Sequence, residues 1–389
     1  MNKPKIRFKG FEGEWNSPSI EKVFEVRNGY TPSKSVESYW IGGTIPWFRM
    51  EDIRASGGFL EDSIQHITPK AVKNNGLFEK DSIIMATTAT IGVHAQLIAD
   101  SLANQRFTNF SIRKSLREGI IAKYVYYAFF GIDEWAVKNT NSGGLLSVNM
   151  PFLLKHPFFV PSLPEQRALA SYFTSLDAQI AASTSRLSSL KQIKAASLLN
   201  MFPQKGEMVP RVRFKGFQGE WKEIKLGEIF SVEIGEFVIK TKQKNNAPYP
   251  VYNGGVSNTG FYDCYNQEGP KIIVSARGAN AGYVNYCTTD FWAGNSCYSI
   301  GAKNNDELKF FFYFLKRFQD IYMKNQYSAS IPSISKQQIL RTNLIYPSLP
   351  EQRAIASYFT ALDAQITLHR ERLEKLKQIK AACLEKMFA

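Results

Sequence analysis

Very little in this chain can hold a metal or a disulfide framework. Only four cysteines occur in 389 residues, Cys264, Cys287, Cys297 and Cys383, and none falls in a CxxC pair. That spacing suggests neither a zinc site nor paired disulfides, so reduced thiols are expected. The four histidines, His66, His94, His156 and His369, are scattered, and no metal ligand set is assigned. Signatures of self-contained catalysis are missing too: there is no Walker loop, HExxH, GxSxG or paired-carboxylate constellation. No run of about 18 apolar residues occurs, and the opening Met1-Asn-Lys-Pro-Lys-Ile-Arg-Phe8 lacks the apolar stretch of a signal peptide. A cytoplasmic location away from membranes is expected. Negative charge is also in short supply, with 34 acidic against 48 basic residues and a formal net charge of +14.

That excess is spread along both halves, so no basic tail explains it. A basic protein is drawn to phosphate polyanions and gains affinity by counterion release. Solubility is a competing reason for basic charge, so charge points towards nucleic acid without proving it. The length suffices for two or three domains, and the apolar share of 44% is ordinary for a globular chain.

The organising feature is a duplication. Pro161-Ser-Leu-Pro-Glu-Gln-Arg-Ala-Leu-Ala-Ser-Tyr-Phe-Thr-Ser-Leu-Asp-Ala-Gln-Ile180 returns almost unchanged as Pro347 to Ile366. The same shift carries Leu190-Lys-Gln-Ile-Lys-Ala-Ala196 onto Leu376 to Ala382, and Met201-Phe202 onto Met387-Phe388. A second repeat opens each half, Arg7-Phe-Lys-Gly-Phe-Glu-Gly-Glu-Trp15 recurring as Arg213 to Trp221 with one change. Between these frames the halves diverge. Residues 30–80 and 236–270 share almost nothing, whereas Ile83-Ile-Met-Ala-Thr-Thr-Ala-Thr-Ile-Gly92 still resembles Ile272 to Gly282. One scaffold carrying two different readings is the simplest interpretation.

The repeated frame predicts long helices. Pro164 suits a first helical turn, and Glu165 favours the positive end of the dipole. No glycine or proline then interrupts until Pro203. Leu169, Phe173, Leu176, Ile180, Leu187 and Leu190 follow coiled-coil spacing, matched by Ile355, Phe359, Leu362, Ile366, Leu373, Leu376, Cys383 and Met387. Ser183, Lys194, His369 and Lys380 put polar groups on the seam, which lowers stability and can fix register. A helix of roughly 38 residues would be about 57 Å long. Two such helices in one chain are expected to pair antiparallel with each other, because their effective concentration is high.

The intervening domains read as mixed. Strands are predicted at Ile83 to Ala86, Gly92 to Ile98, Lys271 to Ser275 and Gly282 to Cys287, with turns around Gly42-Gly43, Gly57-Gly58 and Asn253-Gly254-Gly255. Helices are predicted over Glu118 to Asn139 and Asp306 to Asn325, the second with an apolar face of Leu308, Phe311, Phe312, Leu315, Phe318 and Tyr322. Those aromatics are read as core. Asn149-Met-Pro-Phe152 superficially resembles the polar-Pro-aromatic clamp of an amino-methyltransferase. Its counterpart is Ser335-Lys-Gln-Gln338 and no cofactor loop precedes it, so it is read as a decoy.

Two long helices, each opened by Pro-Ser-Leu-Pro-Glu-Gln-Arg after a divergent domain, make the chain resemble the specificity subunits of Type I restriction-modification systems over essentially its whole length. Gly42-Gly-Thr-Ile-Pro-Trp47 and the Thr87-Thr-Ala-Thr-Ile-Gly92 turn add to the likeness. The resemblance implies an α/β (mixed α+β) architecture with an internal pseudo-twofold repeat. Two target-recognition domains, 1–160 and 207–346, would be separated by a pair of long antiparallel coiled-coil helices in the conserved regions 161–206 and 347–389. It also implies a non-catalytic subunit that reads a bipartite, asymmetric site on double-stranded DNA. Two modification subunits, which would carry S-adenosylmethionine and methylate adenine, and restriction subunits are the implied partners. This chain itself would need no cofactor.

Base readout favours Arg and Lys for guanine and Asn and Gln for adenine, with Lys, Arg, Ser and Thr on phosphates. The candidates are Thr31, Ser33, Lys34, Arg49, Thr88, Thr90, Gln105 and Arg106 in the first domain. In the second they are Lys240, Lys242, Asn253, Asn258, Arg277, Asn280, Asn295 and Ser296. Glu165, Gln166, Arg167, Glu351, Gln352 and Arg353 are candidates for docking partner subunits, set against local helix capping at the same positions. The competing functional classes are an enzyme, disfavoured by the missing cofactor loop, and a DNA-binding coiled-coil scaffold or regulator. A scaffold needs no pair of large divergent domains, and a regulator is more often a symmetric dimer.

Overall fold

A computed structural model of the chain describes residues 3–141, 146–303, 307–324 and 332–388. It divides into two compact units, Met1–Ser183 with Arg372–Ala389, and Thr184–Glu371. In chain order, unit 1 contains α1 (Ile20–Val23), β1 (Phe24–Asn28), β2 (Ile45–Phe48), α2 (Met50–Ser56), β3 (Phe59–Leu60), β4 (His66–Ile67), β5 (Ile83–Ala86) and β6 (His94–Leu97). There follow β7 (Leu102–Ala103), β8 (Phe107–Ile112), α3 (Ala122–Lys138), β9 (Thr140–Asn141), β10 (Ser147–Val148) and α4 (Met150–Lys155). The long helix α5 (Leu163–Asn200) then leads from unit 1 into unit 2.

Unit 2 continues with β11 (Lys222–Lys225), α6 (Leu226–Ile229), β12 (Phe230–Ile234), β13 (Tyr249–Tyr252), β14 (Gly260–Tyr262), β15 (Lys271–Ser275) and β16 (Val284–Cys287). After these come β17 (Trp292–Ala293), β18 (Cys297–Ala302), α7 (Leu308–Arg317), α8 (Gln319–Lys324), α9 (Lys336–Leu340) and β19 (Asn343–Tyr346). The second long helix, α10 (Leu349–Met387), returns to unit 1 for its final turns.

The main sheet of unit 1 runs β1-β8-β5-β6-β3, and that of unit 2 runs β12-β18-β15-β16. Each unit adds a small three-stranded sheet, β4-β2-β7 and β14-β13-β17. In both small sheets the middle strand is antiparallel to one neighbour and parallel to the other. The topology thus repeats across residues 30–80 and 236–270, where the sequence does not. Residues of β5 alternate between two cores, Ile83 and Met85 packing with the α3 side and Ile84 and Ala86 with the small sheet. Both faces of the strand are covered, which is why it reads as a continuous apolar run.

Rings fill the helix-side cores. Phe24 meets Phe110, Phe129 and Phe158 edge-on, and Phe202 meets Phe310, Phe314 and Phe359. Full burial of a phenyl contributes roughly 2–3 kcal/mol. The predicted helix over Asp306 to Asn325 has both of those end residues outside the described set, and it is interrupted at Phe318. There Gln319 Oε1 turns to β16, accepting from Val284 N at 2.9 Å and from Lys316 Nζ at 2.8 Å. The helix also buries more than the one expected face, since Phe310, Tyr313 and Phe314 are enclosed alongside Phe311. The other predicted helix, Glu118 to Asn139, begins only at Ala122, where Ile121 N–H is taken by the Gln166 side chain at 2.9 Å.

Inside each unit, part of α5 lies antiparallel to part of α10, and the polar seam residues explain the register. Lys380 Nζ meets Asp177 Oδ1 at 2.6 Å in unit 1. Lys194 Nζ meets Asp363 Oδ1 at 2.5 Å in unit 2. A tyrosine from the globular part completes each cluster, Tyr127 donating to Asp177 and Tyr313 to Asp363, both at 2.9 Å. Burial, joined by the neighbouring aspartate charge, pushes both phenols up, so they stay protonated donors. The three residues of one cluster are the sequence duplicates of the other.

Candidate nucleic-acid interface

Antiparallel pairing brings four chain segments to one end of each main sheet. The C-terminal ends of β1 and β5 lie beside the start of β8, with Asn28 opposite Thr108 and Ala86 opposite Phe107. The end of β2 joins them, since Asn104 N donates to Phe48 O at 3.1 Å. Unit 2 repeats this with β12, β15, β18 and β13, where Gly294 N donates to Tyr252 O at 2.7 Å.

Every DNA-contact candidate lies on these segments. After β1 come Thr31, Ser33 and Lys34, and after β12 come Lys240 and Lys242. Gly29 and Gly235 make the two turns possible, because a Cβ at either would lie within 2.5 Å of two carbonyl oxygens across the loop. Arg49 follows β2 as Asn253 follows β13, and the strand registers make them equivalent. Buried Asp52 fixes the first of these turns, accepting from Arg49 N at 2.7 Å and Ile64 N at 2.8 Å. Asn258 lies further along the second.

The turn after β5 carries Thr88 and Thr90, and the turn after β15 carries Arg277 and Asn280. Ala89 adopts a left-handed φ of 67° and Gly278 one of 86°. Thr88 bridges to Ser147 as Arg277 bridges to Ser333. The fourth segment carries Gln105 and Arg106, or Asn295 and Ser296. Thr31 Oγ1 donates to Gln105 Oε1 at 2.5 Å, and Ser296 N donates to Asn253 Oδ1 at 3.1 Å. All sixteen candidates are at least partly exposed, Ser33, Lys34, Gln105, Arg106, Lys240, Lys242 and Arg277 the more so.

The docking candidates fare differently. Glu165 and Glu351 are 1% exposed, and Gln166 and Gln352 are buried too. Glu165 is gripped by Arg7, whose Nε and Nη2 each donate at 2.7 Å, and by Trp15 Nε1 at 3.2 Å. Arg213 grips Glu351 with the same pair of 2.7 Å bonds. These hydrogen bonds raise both guanidinium pKa values further. Gln166 Nε2 donates to the carbonyls of Gly119 and Pro161, and Gln352 Nε2 to that of Pro347. These four side chains are therefore engaged inside the chain and present no docking surface. Arg167 and Arg353 are exposed. Sequence reasoning missed Arg7 and Arg213 although a signal existed: the two duplicated motifs recur together, and each closes on the other.

The methyltransferase-like stretch has a local role. Asn149 caps α4 by accepting from Phe152 N at 3.3 Å, and Ser335 caps α9 by accepting from Gln338 N at 3.2 Å. Gly42-Gly-Thr-Ile-Pro-Trp47 is scaffold as well, with Trp47 Nε1 donating to Tyr30 O at 3.0 Å. Among the described residues no group of three or more His, Cys, Asp or Glu side chains is placed to hold a metal. No described helix is long and apolar enough to cross a membrane.

The family model described as the Type I restriction modification DNA specificity domain matches twice, over residues 12–192 and 218–378. The specificity subunit of the type I restriction enzyme EcoprrI of Escherichia coli is 30% identical over 385 residues, covering 96% of this chain and 92% of its own. A putative type I specificity subunit of Mycoplasma genitalium is 22% identical, covering 68% of this chain and 70% of its own. A crystal structure of a type I restriction-modification S subunit from M. genitalium matches with a TM-score of 0.68 at 19% identity, covering 100% of this chain and 99% of that one.

Proposed function

The chain belongs to the Type I restriction modification DNA specificity family, and from that premise we propose that it is the DNA-reading subunit of such a system. Residues 1–160 and 207–346 each read one half of a split, asymmetric site on double-stranded DNA, and 161–206 and 347–389 form the shared helical frame. The observation that carries this reading is the pair of matching sheet ends. Four equivalent segments bear different side chains in the two units, Arg49 against Asn253 and Thr88 against Arg277 among them. One scaffold presenting two sets of base-matching groups is what a reader of two unlike half-sites requires.

In this reading the chain performs no chemistry. Modification subunits carry S-adenosylmethionine and transfer the methyl group to adenine, and restriction subunits cut unmodified DNA. Exposed Ile193 and Ile379, like Arg167 and Arg353, are sequence duplicates, which suits docking two copies of one modification subunit.

The test is to co-express the chain with its modification subunits in a methylation-free host and map every newly methylated adenine. A split motif with an unread gap is the expected outcome. Absence of methylation, with expression and partner binding verified, would favour a DNA-binding scaffold or regulator. Within a mapped motif, Arg277→Ala should relax one position in one half by about 1–3 kcal/mol, since an Arg fork suits guanine. An unchanged motif would remove Arg277 from the readout.

A further inference from the structure

Phe237 lies one residue beyond Glu236, whose backbone bridges to Gly294 next to Asn295. It is 72% exposed, yet the backbone around it is tied down. Val238 is buried against Val251 and Tyr262. Tyr262 Oη clamps the following residue twice, accepting from Ile239 N at 2.7 Å and donating to Ile239 O at 2.8 Å. Singly exposed apolar side chains are common. This one is held outward by an anchored neighbour, on the same segment as exposed Lys240 and Lys242 and beside the Asn295 turn. The equivalent position of unit 1 holds Thr31, which is satisfied by Gln105.

Resting on the reading of the chain as a DNA specificity subunit, we infer that Phe237 is a specificity-determining residue that recognises a thymine in the half-site of unit 2 through its 5-methyl group. The major groove offers one apolar feature among its donors and acceptors, the thymine methyl, and apolar side chains read it. A phenyl on an anchored backbone, followed by two phosphate-seeking lysines, supplies such a contact with little backbone to order on binding.

The assembly of this chain with its modification subunits is titrated with duplexes carrying the mapped motif, in which each thymine of one half is replaced in turn by deoxyuridine. That base lacks only the methyl. One replacement should weaken wild-type binding about five- to tenfold, within the range of a lost base contact. Phe237→Ala should weaken binding to the thymine duplex by the same factor and be indifferent to that replacement, with an unchanged melting temperature. Phe237→Leu should recover part of the loss. The inference is overturned if Phe237→Ala binds like wild type, or if it weakens all sequences equally while the deoxyuridine effect persists, as a wedge between bases would. A wild-type assembly that methylates no split motif would instead sink the functional reading before this test begins.

Discussion

Arg7→Ala is expected to destabilise unit 1 by about 3–5 kcal/mol, because it leaves the Glu165 carboxylate buried with one indole N–H where it had a bidentate guanidinium. Surface ion pairs contribute little, but this carboxylate is 1% exposed and cannot turn to water. The same Arg7 also donates to the carbonyls of Gly13 and Glu12, so its loss frees the opening segment as well. Arg213→Ala should act equally on unit 2. The measurement is hydrogen exchange across the whole chain, since a protein of two units need not unfold in one step. Protection should fall in the unit that carries the substitution and hold in the other. A loss below about 1 kcal/mol would show that water reaches the carboxylate. The indoles sharpen the comparison. Trp221 Nε1 is buried without a hydrogen-bond partner among the described residues, so Trp221→Phe should cost less than Trp15→Phe, which removes a bond to Glu165.

Exchange of residues 222–346 for the corresponding segment of another family member should rewrite one half of the methylated motif completely and leave the other unchanged. The boundaries suit the exchange. Trp221 ends one repeated motif and Pro347 begins the other, so the guest segment meets the Arg213–Glu351 clasp and the long helix as the native segment does. Sequencing of methylated adenines reads the result. Changes in both halves would sink the two-reader scheme, and so would an altered half that loses its unread gap.

Much of the fold was legible because its signals are local. Long helices follow from uninterrupted seam spacing, and buried strands follow from runs such as Ile83 to Ala86. The four segments that carry the DNA-contact candidates are legible as regions for the same reason, through polar and glycine-rich stretches. Their equivalence is not. β2 and β13 have only a proline in common, Ile-Pro-Trp-Phe against Tyr-Pro-Val-Tyr, because backbone ladders hold their place whichever side chains they carry. The position of Glu165 and Glu351 at a helix start leaves docking and capping both open, because it speaks to the dipole and the cap and not to burial. Their partners lie far back in sequence, where no periodicity reaches. The polar seam lysines are legible from spacing alone, but their aspartate and tyrosine partners lie on other elements and needed the tertiary structure.

Unit 2 is one unbroken stretch, Thr184–Glu371, whereas unit 1 is assembled from Met1–Ser183 and the distant Arg372–Ala389. The returning piece is built in, with Met387 buried in the first core and Ile6 N–H bound to Lys386 O at 2.9 Å. Order of synthesis and order of completion are therefore inverted. Residues 1–183 are made before residues 372–389 and wait for them, and the later-made unit can close while the earlier one is still open. Until then the face of unit 1 that receives α10 is uncovered, a vacancy that another nascent copy of the same helix would fit equally well.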